Sequence, residues 1–251
     1  MKQIIASCSF KGGTAKTSVC LNVASVLAKF HKKTVLLIDF DAQANLTTGL
    51  GFDPDEQDSL APVLQNEKKI KEIILKTSVK NLDLIPADTF LERIEVTGSL
   101  ASNRYSHEKL KELLTPLNYD YILIDTPPSL CWLTESALIA AKNSLICSTP
   151  EFYSIKGLQK LSTFIKGISS RHSLDVLGIV LSFWNPRGKN NKEFQKIIEN
   201  TFPGKLLLSK IRKDIAISEG PIYGKPVFEI APTSRASEDY KALSKELLKR
   251  M

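Results

Sequence analysis

The chain has 251 residues, of which 43% are hydrophobic and 24% charged, and it carries a formal net charge of +7. This length and apolar content suffice to bury a full core, and they favour one domain spanning residues 1–251. No apolar run approaches the roughly 20 residues that cross a bilayer, and the first residues lead directly into a predicted strand, so we expect a cytoplasmic protein without a signal peptide.

The positive charge is concentrated in the C-terminal third, where residues 185–251 contain 14 Lys and Arg but only 8 Asp and Glu. Such asymmetry predicts a polyanionic partner, whereas solvated lysines on helix faces are the alternative. The chain has neither a Cys-x-x-Cys pair nor clustered histidines, so we expect buried, reduced thiols and no metal cluster. The residues concerned are Cys8, Cys20, Cys131, Cys147, His31, His107 and His172.

Taken in chain order, the first predicted elements are a buried strand at residues 2–7, a glycine loop, and a helix from Lys16 to about residue 30. The loop contains Gly12 and Gly13 and ends on Lys16, followed by the hydroxyl residues Thr17 and Ser18. In such a loop the backbone N–H groups point inward, and the following helix adds the positive end of its dipole. The pattern therefore predicts a binding site for nucleotide phosphates.

Two later strands end on an acid. Residues 34–39 form an apolar run that ends at Asp39, and residues 119–125 form another that ends at Asp125. Between them, residues 53–105 are hard to interpret: we predict short helices near 60–65 and 69–75 and a strand at 82–86, and assign the segment no function. A helix is expected at 108–114.

Further strands are predicted at residues 144–147 and 176–183, with helices near 134–141 and 155–168 and a last helix at 237–250. Apolar strands that alternate with helices indicate an α/β fold with one doubly wound, mostly parallel sheet and helices on both faces. In this architecture ligands bind at the carboxyl ends of the strands, where the glycine loop and both acids lie.

These residue types suit phosphoryl transfer, which needs charge neutralisation, a metal on the terminal phosphates and a positioned water. Lys16 supplies positive charge between the β and γ phosphates, and the Thr17 hydroxyl is placed to ligate Mg²⁺. Asp39 and Asp125 can hold the metal through its waters.

The loop reads Lys-Gly-Gly, two variable residues, Lys and Thr, and it resembles the deviant Walker A loop of the ParA/MinD ATPases. It departs from an ordinary phosphate loop at Phe10 and Ala15. Residues 38–45 resemble the Asp-x-Asp-Pro-Gln motif of ParA, with Ala42 in the proline's place, and residues 125–129 resemble the family's second switch. Similar segments occur at 149–154, 184–187, 218–226 and 232–240, so the resemblance to short, Soj-like ParA proteins covers essentially the whole chain.

The resemblance implies ATP and Mg²⁺ as cofactors and a weak basal ATPase activity. It also implies that Lys11 reaches the nucleotide of a second subunit in an ATP-dependent homodimer, and that Asp41 orients the attacking water. Catalytic roles thus fall to Lys11, Lys16 and Asp41, and metal binding to Thr17, Asp39 and Asp125. The nucleotide would be bound by Lys11, Gly12, Gly13, Thr14, Ala15, Lys16, Thr17, Ser18 and Asp125.

The family also implies nonspecific DNA binding by the dimer on the nucleoid and release by hydrolysis that a ParB-like centromere-binding protein stimulates. The cargo is a chromosome or a plasmid. No N-terminal DNA-binding extension is expected. The DNA-binding candidates are Arg187, Lys210, Arg212 and Lys213.

Two rival functions can be weighed from the sequence. A MinD-like ATPase that cycles on and off a membrane needs an amphipathic extension, and the chain ends within its last predicted helix. An iron–sulfur carrier needs paired cysteine ligands, which the cysteine spacing does not provide. We therefore expect a partition ATPase that does not bind membranes.

Overall fold

The computed structural model describes residues 2–97 and 106–251, so the last part of the segment that the sequence left unassigned, residues 98–105, lies outside the described residues. The eight strands form one sheet in the order β3-β4-β2-β5-β1-β6-β7-β8. They are β1 (Gln3–Cys8), β2 (Val35–Asp39), β3 (Leu75–Lys76), β4 (Leu82–Ile85), β5 (Tyr121–Asp125), β6 (Asn143–Ser148), β7 (Asp175–Trp184) and β8 (Leu206–Arg212).

All neighbouring strands are parallel except β3, which pairs antiparallel with β4 at one edge. The helices are α1 (Lys16–His31), α2 (Asn45–Gly49), α3 (Leu60–Leu64), α4 (Phe90–Thr97), α5 (Lys109–Leu114), α6 (Trp132–Ala140), α7 (Phe152–Ser169), α8 (Asn191–Thr201), α9 (Ala216–Ile222), α10 (Val227–Ile230) and α11 (Arg235–Arg250). The doubly wound, mostly parallel sheet that the sequence predicts is confirmed.

Two apolar cores sandwich the sheet. One contains side chains of α3 to α8, including Leu161 and Ile198, and the other contains side chains of α1, α2 and α9 to α11, including Val23 and Tyr240. The central strands are buried on both sides, which is why they are continuously apolar in sequence. Within the described residues, no helix combines the length and the apolar character needed to span a bilayer.

The sequence interpretation misses several elements outside the central strands. The predicted helix at residues 69–75 is a single 3-10 turn, Ile70–Ile73, followed by β3. The elements α8 and β8 were not predicted, because α8 is amphipathic but rich in polar residues and β8 is an edge strand with mixed burial. The proline-containing segment after β8 forms α9 and α10, with Pro221 inside α9.

Candidate nucleotide site

The glycine loop joins β1 to α1 at the carboxyl edge of the sheet. Gly13 has φ +74°, and Ala15, directly before α1, has φ 58° and ψ 25°. Both lie in the left-handed region, which glycine adopts freely and which costs other residues about 1 kcal/mol. The amide of Val19 donates to the Ala15 carbonyl at 2.8 Å and closes the first turn of the helix.

The first turn of α1 carries no acidic side chain, so the positive end of its dipole is not neutralised from within the helix. The residues that the sequence assigned to nucleotide binding all lie in this loop and first turn, with Asp125 beside them. A loop of this shape presents backbone N–H groups to an anion.

Lys16 and Asp125 form a buried ion pair. Lys16 Nζ donates to Asp125 Oδ1 at 2.8 Å, and the two side chains are 6% and 0% exposed. Burial opposes the charge of Lys16, but attraction and hydrogen bonding to Asp125, with a contribution from Asp41, outweigh it and raise the pKa of Lys16. The lysine is therefore held charged at the base of the phosphate loop.

The two acid-tipped strands are neighbours, and Asp39 of β2 lies in register with Asp125 of β5. Asp39 is buried and accepts hydrogen bonds at Oδ2 from the amide and hydroxyl of Thr47, both at 2.8 Å. Burial and the nearby charge of Asp125 raise the pKa of Asp39 to about 7, against the opposing effect of these hydrogen bonds. Asp39 is thus anchored to α2, through a residue to which the sequence assigned no role.

Asp41, the residue expected to orient water, lies two positions beyond β2 and is 8% exposed. Its Oδ1 accepts the amide of Gln43 at 3.1 Å, and its own amide donates to Asp39 at 3.3 Å. It is close enough to Lys16 to raise the pKa of that lysine. The structure therefore brings Lys16, Asp39, Asp41 and Asp125 into one site.

The donor set fits Mg²⁺ held jointly with phosphates. Among the described residues, Asp125 Oδ2 is a buried carboxylate oxygen without a hydrogen-bond partner, and no group of three or more His, Cys, Asp or Glu could hold a metal alone. Mg²⁺ in NTPase sites takes one or two protein oxygens and completes its shell with phosphates and water. Thr17 and Asp125 would hold it here, with Asp39 behind them, and the ion would neutralise charge on the phosphates.

Lys11 lies apart from this buried group. Its side chain is 48% exposed, and Nζ donates to Glu151 Oε2 at 2.6 Å. Glu151 is the residue directly before α7, and sequence reasoning gave it no role because nothing local links two residues 140 positions apart. The two lysines of one loop therefore occupy different environments, one buried and one at the surface.

Phe10 fixes the loop against α7. A Cβ placed on Gly157 would lie 2.7 Å from the Phe10 ring, so the ring occupies space that only glycine leaves open. Lys160 Nζ lies 5.1 Å from the centroid of the same ring. The residue that departs from the ordinary phosphate-loop pattern thus has a packing partner.

The four residues expected to contact DNA are dispersed. Arg187 lies in the loop between β7 and α8, exposed, and Lys213 is exposed just after β8. Arg212 makes two-pronged hydrogen bonds to Asp239 at 2.7–3.1 Å, and Lys210 donates to the carbonyls of Leu207 and Leu208. Two of the four are therefore occupied inside the subunit, and their DNA role stays a prediction.

Three of the four cysteines, Cys8, Cys20 and Cys147, are buried and Cys131 is half-buried, and all four are free. The burial expected from the sequence is confirmed for Cys8, Cys20 and Cys147 but not for Cys131, and the reduced state of the thiols stays a prediction.

Together, the sheet order, the loop before α1 and the buried Lys16–Asp125 pair define a P-loop NTPase. A family model described as an AAA domain matches residues 2–176. A ParA family protein of Chlamydia muridarum is 66% identical over 97% of this chain and 96% of its own length. The sporulation initiation inhibitor protein Soj of Bacillus subtilis is 34% identical over 98% of this chain and 98% of its own length. The chain belongs to the ParA family of ATPases.

Solved structures agree with this assignment. The septum site-determining protein MinD of Pyrococcus horikoshii, complexed with Mg-ADP, superposes with a TM-score of 0.81 at 27% identity, over 98% of this chain and 96% of that one. The neighbour is complexed with Mg-ADP, a ligand that the phosphate loop and Asp125 of this chain are suited to bind.

Proposed function

We propose that this protein is a DNA-partition ATPase in which ATP closes a homodimer that binds DNA without sequence preference. Partner-stimulated hydrolysis then opens the dimer and releases the DNA. The observation that carries this proposal is that the two lysines of the loop differ in burial and in pairing. Lys16 is buried and forms an ion pair with Asp125 of its own subunit, whereas Lys11 is exposed and forms an ion pair only with the exposed carboxylate of Glu151.

A lysine that acts across a subunit boundary must be able to leave its resting contact. An exposed ion pair contributes only about 0–1 kcal/mol, so the phosphates of a second subunit can compete for Lys11 at little cost. A buried pair such as Lys16–Asp125 costs several kcal/mol to break, so Lys16 stays in place when the dimer forms. Two nucleotides between two subunits then complete each site.

Hydrolysis in this scheme uses residues that are already assembled. Lys16 stabilises charge on the phosphates, and Asp41, whose backbone amide is fixed by Asp39, orients the attacking water. Thr17 and Asp125 would hold Mg²⁺, which would supply charge neutralisation on the phosphates when bound. Since Asp125 pairs with Lys16 and immediately precedes the Thr126-Pro127-Pro128 turn, changes at the phosphates can reach α6 through this turn.

A MinD-like membrane cycle is the alternative, and the structural similarity to MinD is the observation that favours it. The last helix, α11, buries Tyr240, Leu243 and Leu247 in the core, so its apolar side is not available to lipid. We therefore favour DNA as the surface on which the dimer assembles, with a ParB-like protein as the activating partner and the nucleoid as its location.

Paired co-sedimentation tests the choice. The protein is mixed with duplex DNA or with anionic liposomes, each with and without ATP, and ATP turnover is measured with DNA alone and with the candidate ParB-like partner. We expect ATP-dependent, salt-sensitive retention on DNA and the highest turnover with DNA and partner together. Retention on liposomes but not on DNA would establish the alternative.

A further inference from the structure

Thr47 of α2 is a buried polar residue that joins the nucleotide site to two other parts of the fold. Its exposed fraction is 0%. Its amide and its hydroxyl both donate to Asp39 Oδ2 at 2.8 Å, and the hydroxyl oxygen accepts the amide of Ala87 at 3.1 Å. One residue thus holds together the end of β2, the short helix α2 and the segment that follows β4.

The hydrogen bonds of the Thr47 hydroxyl have a defined direction. A hydroxyl group has one proton to donate and accepts at its lone pairs. Because the amide of Ala87 is a donor, the Thr47 oxygen accepts there, and its proton is directed to the Asp39 carboxylate. Hydrogen bonds linked in this way polarise and strengthen one another. The Asp39 side chain is therefore held in one orientation.

The orientation of Asp39 affects Asp41, the residue expected to orient the attacking water. While Thr47 binds Oδ2 of Asp39, the other oxygen, Oδ1, accepts the amide of Asp41 at 3.3 Å. The carbonyl of Asp41 in turn accepts the amide of Ala44, the residue directly before α2, at 2.9 Å. Thr47 is thus connected to Asp41 by two routes, one through the Asp39 carboxylate and one through the turn that leads into α2.

A purely structural role is the alternative, because buried polar side chains are hydrogen-bonded in most proteins for the sake of stability alone. The contacts of Thr47 favour more than this. Two donors of one residue converge on a single oxygen of a carboxylate that belongs to the site, and they leave the pair of Lys16 and Asp125 untouched. A change at Thr47 should therefore displace Asp39 and Asp41 while the phosphate loop keeps its own contacts.

We propose that Thr47 is a positioning residue for ATP hydrolysis, which orients the Asp39 carboxylate and, through it, Asp41. This inference rests on the proposed function, since it assigns a further residue to the same site. Residues that hold a metal ligand or a catalytic group in place change activity without touching the substrate. The amide of Ala87 completes the arrangement, because it fixes the direction in which the Thr47 hydroxyl donates.

The test compares three substitutions in α2. Thr47→Val keeps the shape of the side chain and removes the hydroxyl, whereas Thr47→Ser keeps the hydroxyl. Thr48→Val is the matched control, because Thr48 is the next residue of the same helix and is exposed. ATP turnover, ATP affinity and the Mg²⁺ concentration for half-maximal ATP binding are measured for each variant, the last two by equilibrium dialysis. Thermal unfolding is recorded alongside.

We expect Thr47→Val to lower kcat about 10- to 100-fold and to raise the half-maximal Mg²⁺ concentration, while ATP affinity at saturating Mg²⁺ changes less than about twofold. Thr47→Ser should restore most of the turnover, and Thr48→Val should match wild type. A merely structural role predicts a different result, in which turnover, ATP affinity and the unfolding temperature fall together.

A double-mutant cycle shows whether Thr47 acts through Asp39. Asp39→Ala removes the carboxylate that Thr47 binds, so adding Thr47→Val to it should shift the half-maximal Mg²⁺ concentration by less than about twofold. An equal shift in the wild-type and Asp39→Ala backgrounds would mean that Thr47 acts independently of Asp39, and it would overturn the inference.

Wild-type turnover and a wild-type Mg²⁺ requirement in Thr47→Val would also overturn the positioning role, and they would leave the proposed function intact. If Thr47→Val failed to fold, Thr47→Ala would replace it in the same measurements. If the wild-type protein hydrolysed no ATP even with DNA and the partner present, the proposed function itself would fail. The Mg²⁺ dependence of ATP binding would then still decide the role of Thr47, because it requires no turnover.

Discussion

Lys11 Nζ lies 2.6 Å from Glu151 Oε2, so the lysine expected to cross to a second subunit is held at rest by a carboxylate of its own chain. The pair is half exposed, which limits its strength to about 1 kcal/mol or less. Breaking this contact therefore adds only a small cost to the free energy of dimer closure.

Removing the Glu151 carboxylate should remove this cost and favour the dimer. We expect Glu151→Gln to dimerise at an ATP concentration up to about fivefold lower than wild type, since 1 kcal/mol corresponds to roughly that factor. Light scattering across an ATP titration measures the shift.

Lys11→Ala should instead lose dimerisation and hydrolysis while still binding nucleotide. Full dimerisation and native turnover in Lys11→Ala would contradict a role across the subunit boundary.

Lys16 is expected to act on both stability and binding. Lys16→Met leaves Asp125 buried and unpaired, which should cost about 3–5 kcal/mol of unfolding free energy and abolish ATP binding. Adding Asp125→Asn removes the orphaned charge, so the double variant should recover most of the stability but not the binding. Chemical denaturation and equilibrium dialysis separate the two effects. If the single and double variants were equally stable, the loss of stability in Lys16→Met would not come from the unpaired Asp125 carboxylate.

Ala15 adopts a left-handed conformation at the start of α1. Ala15→Gly relieves about 1 kcal/mol of backbone strain in the folded protein. Glycine also gives the unfolded chain more conformational entropy, which destabilises the fold by a similar amount, so the free energy of unfolding should change by less than about 1 kcal/mol. We expect nucleotide binding to stay intact and dimerisation to be equal or improved. Ala44→Gly is a matched control, because Ala44 has φ 51°. A clear loss of binding or dimerisation in Ala15→Gly alone would assign the methyl group a function.

The contact between Phe10 and Gly157 can be probed with two glycines of the same helix. Gly157→Ala puts a methyl group 2.7 Å from the Phe10 ring and should destabilise the protein by about 1–3 kcal/mol and weaken ATP binding through the displaced loop. Gly167 has open space around it, so Gly167→Ala should stabilise α7 by up to about 1 kcal/mol. Thermal unfolding and nucleotide affinity are compared. If both variants behaved alike, Phe10 would not anchor the loop.

Glu246 protects the exposed edge of β8. Its carboxylate accepts the amides of Leu208 and Ser209 at 2.8 and 2.7 Å, and although burial opposes the charge, these bonds and Arg250 lower its pKa. Glu246→Gln should lose about 1–3 kcal/mol at neutral pH. A lowered folded pKa means that the contribution is complete above the unfolded value of about 4.3 and disappears as the pH falls. Denaturation from pH 7 to pH 3 should show wild type and Glu246→Gln converging in stability, and a difference that stayed constant over this range would contradict a role of the ionised carboxylate.

The amino-acid sequence determined the central part of the molecule. The strands that flank the site are apolar and end on Asp39 and Asp125, and the glycine loop precedes a helix, so local patterns alone predict a parallel sheet with a phosphate site at its carboxyl edge. Of the elements that were missed, β8 is an edge strand whose mixed burial leaves no clear alternation, and α8 is an amphipathic helix whose many polar residues hide it among loop segments.

The tertiary structure decided which side chains are free to act. No local pattern links Lys11 to Glu151, Asp39 to the Thr47 hydroxyl or Arg212 to Asp239, because these pairs form only when distant or irregular segments pack together. The fold thereby separates a lysine fixed in its own site from one held loosely at the surface. It also distinguishes cations bound within the subunit from those left for a partner, since pairing depends on three-dimensional neighbours and not on composition.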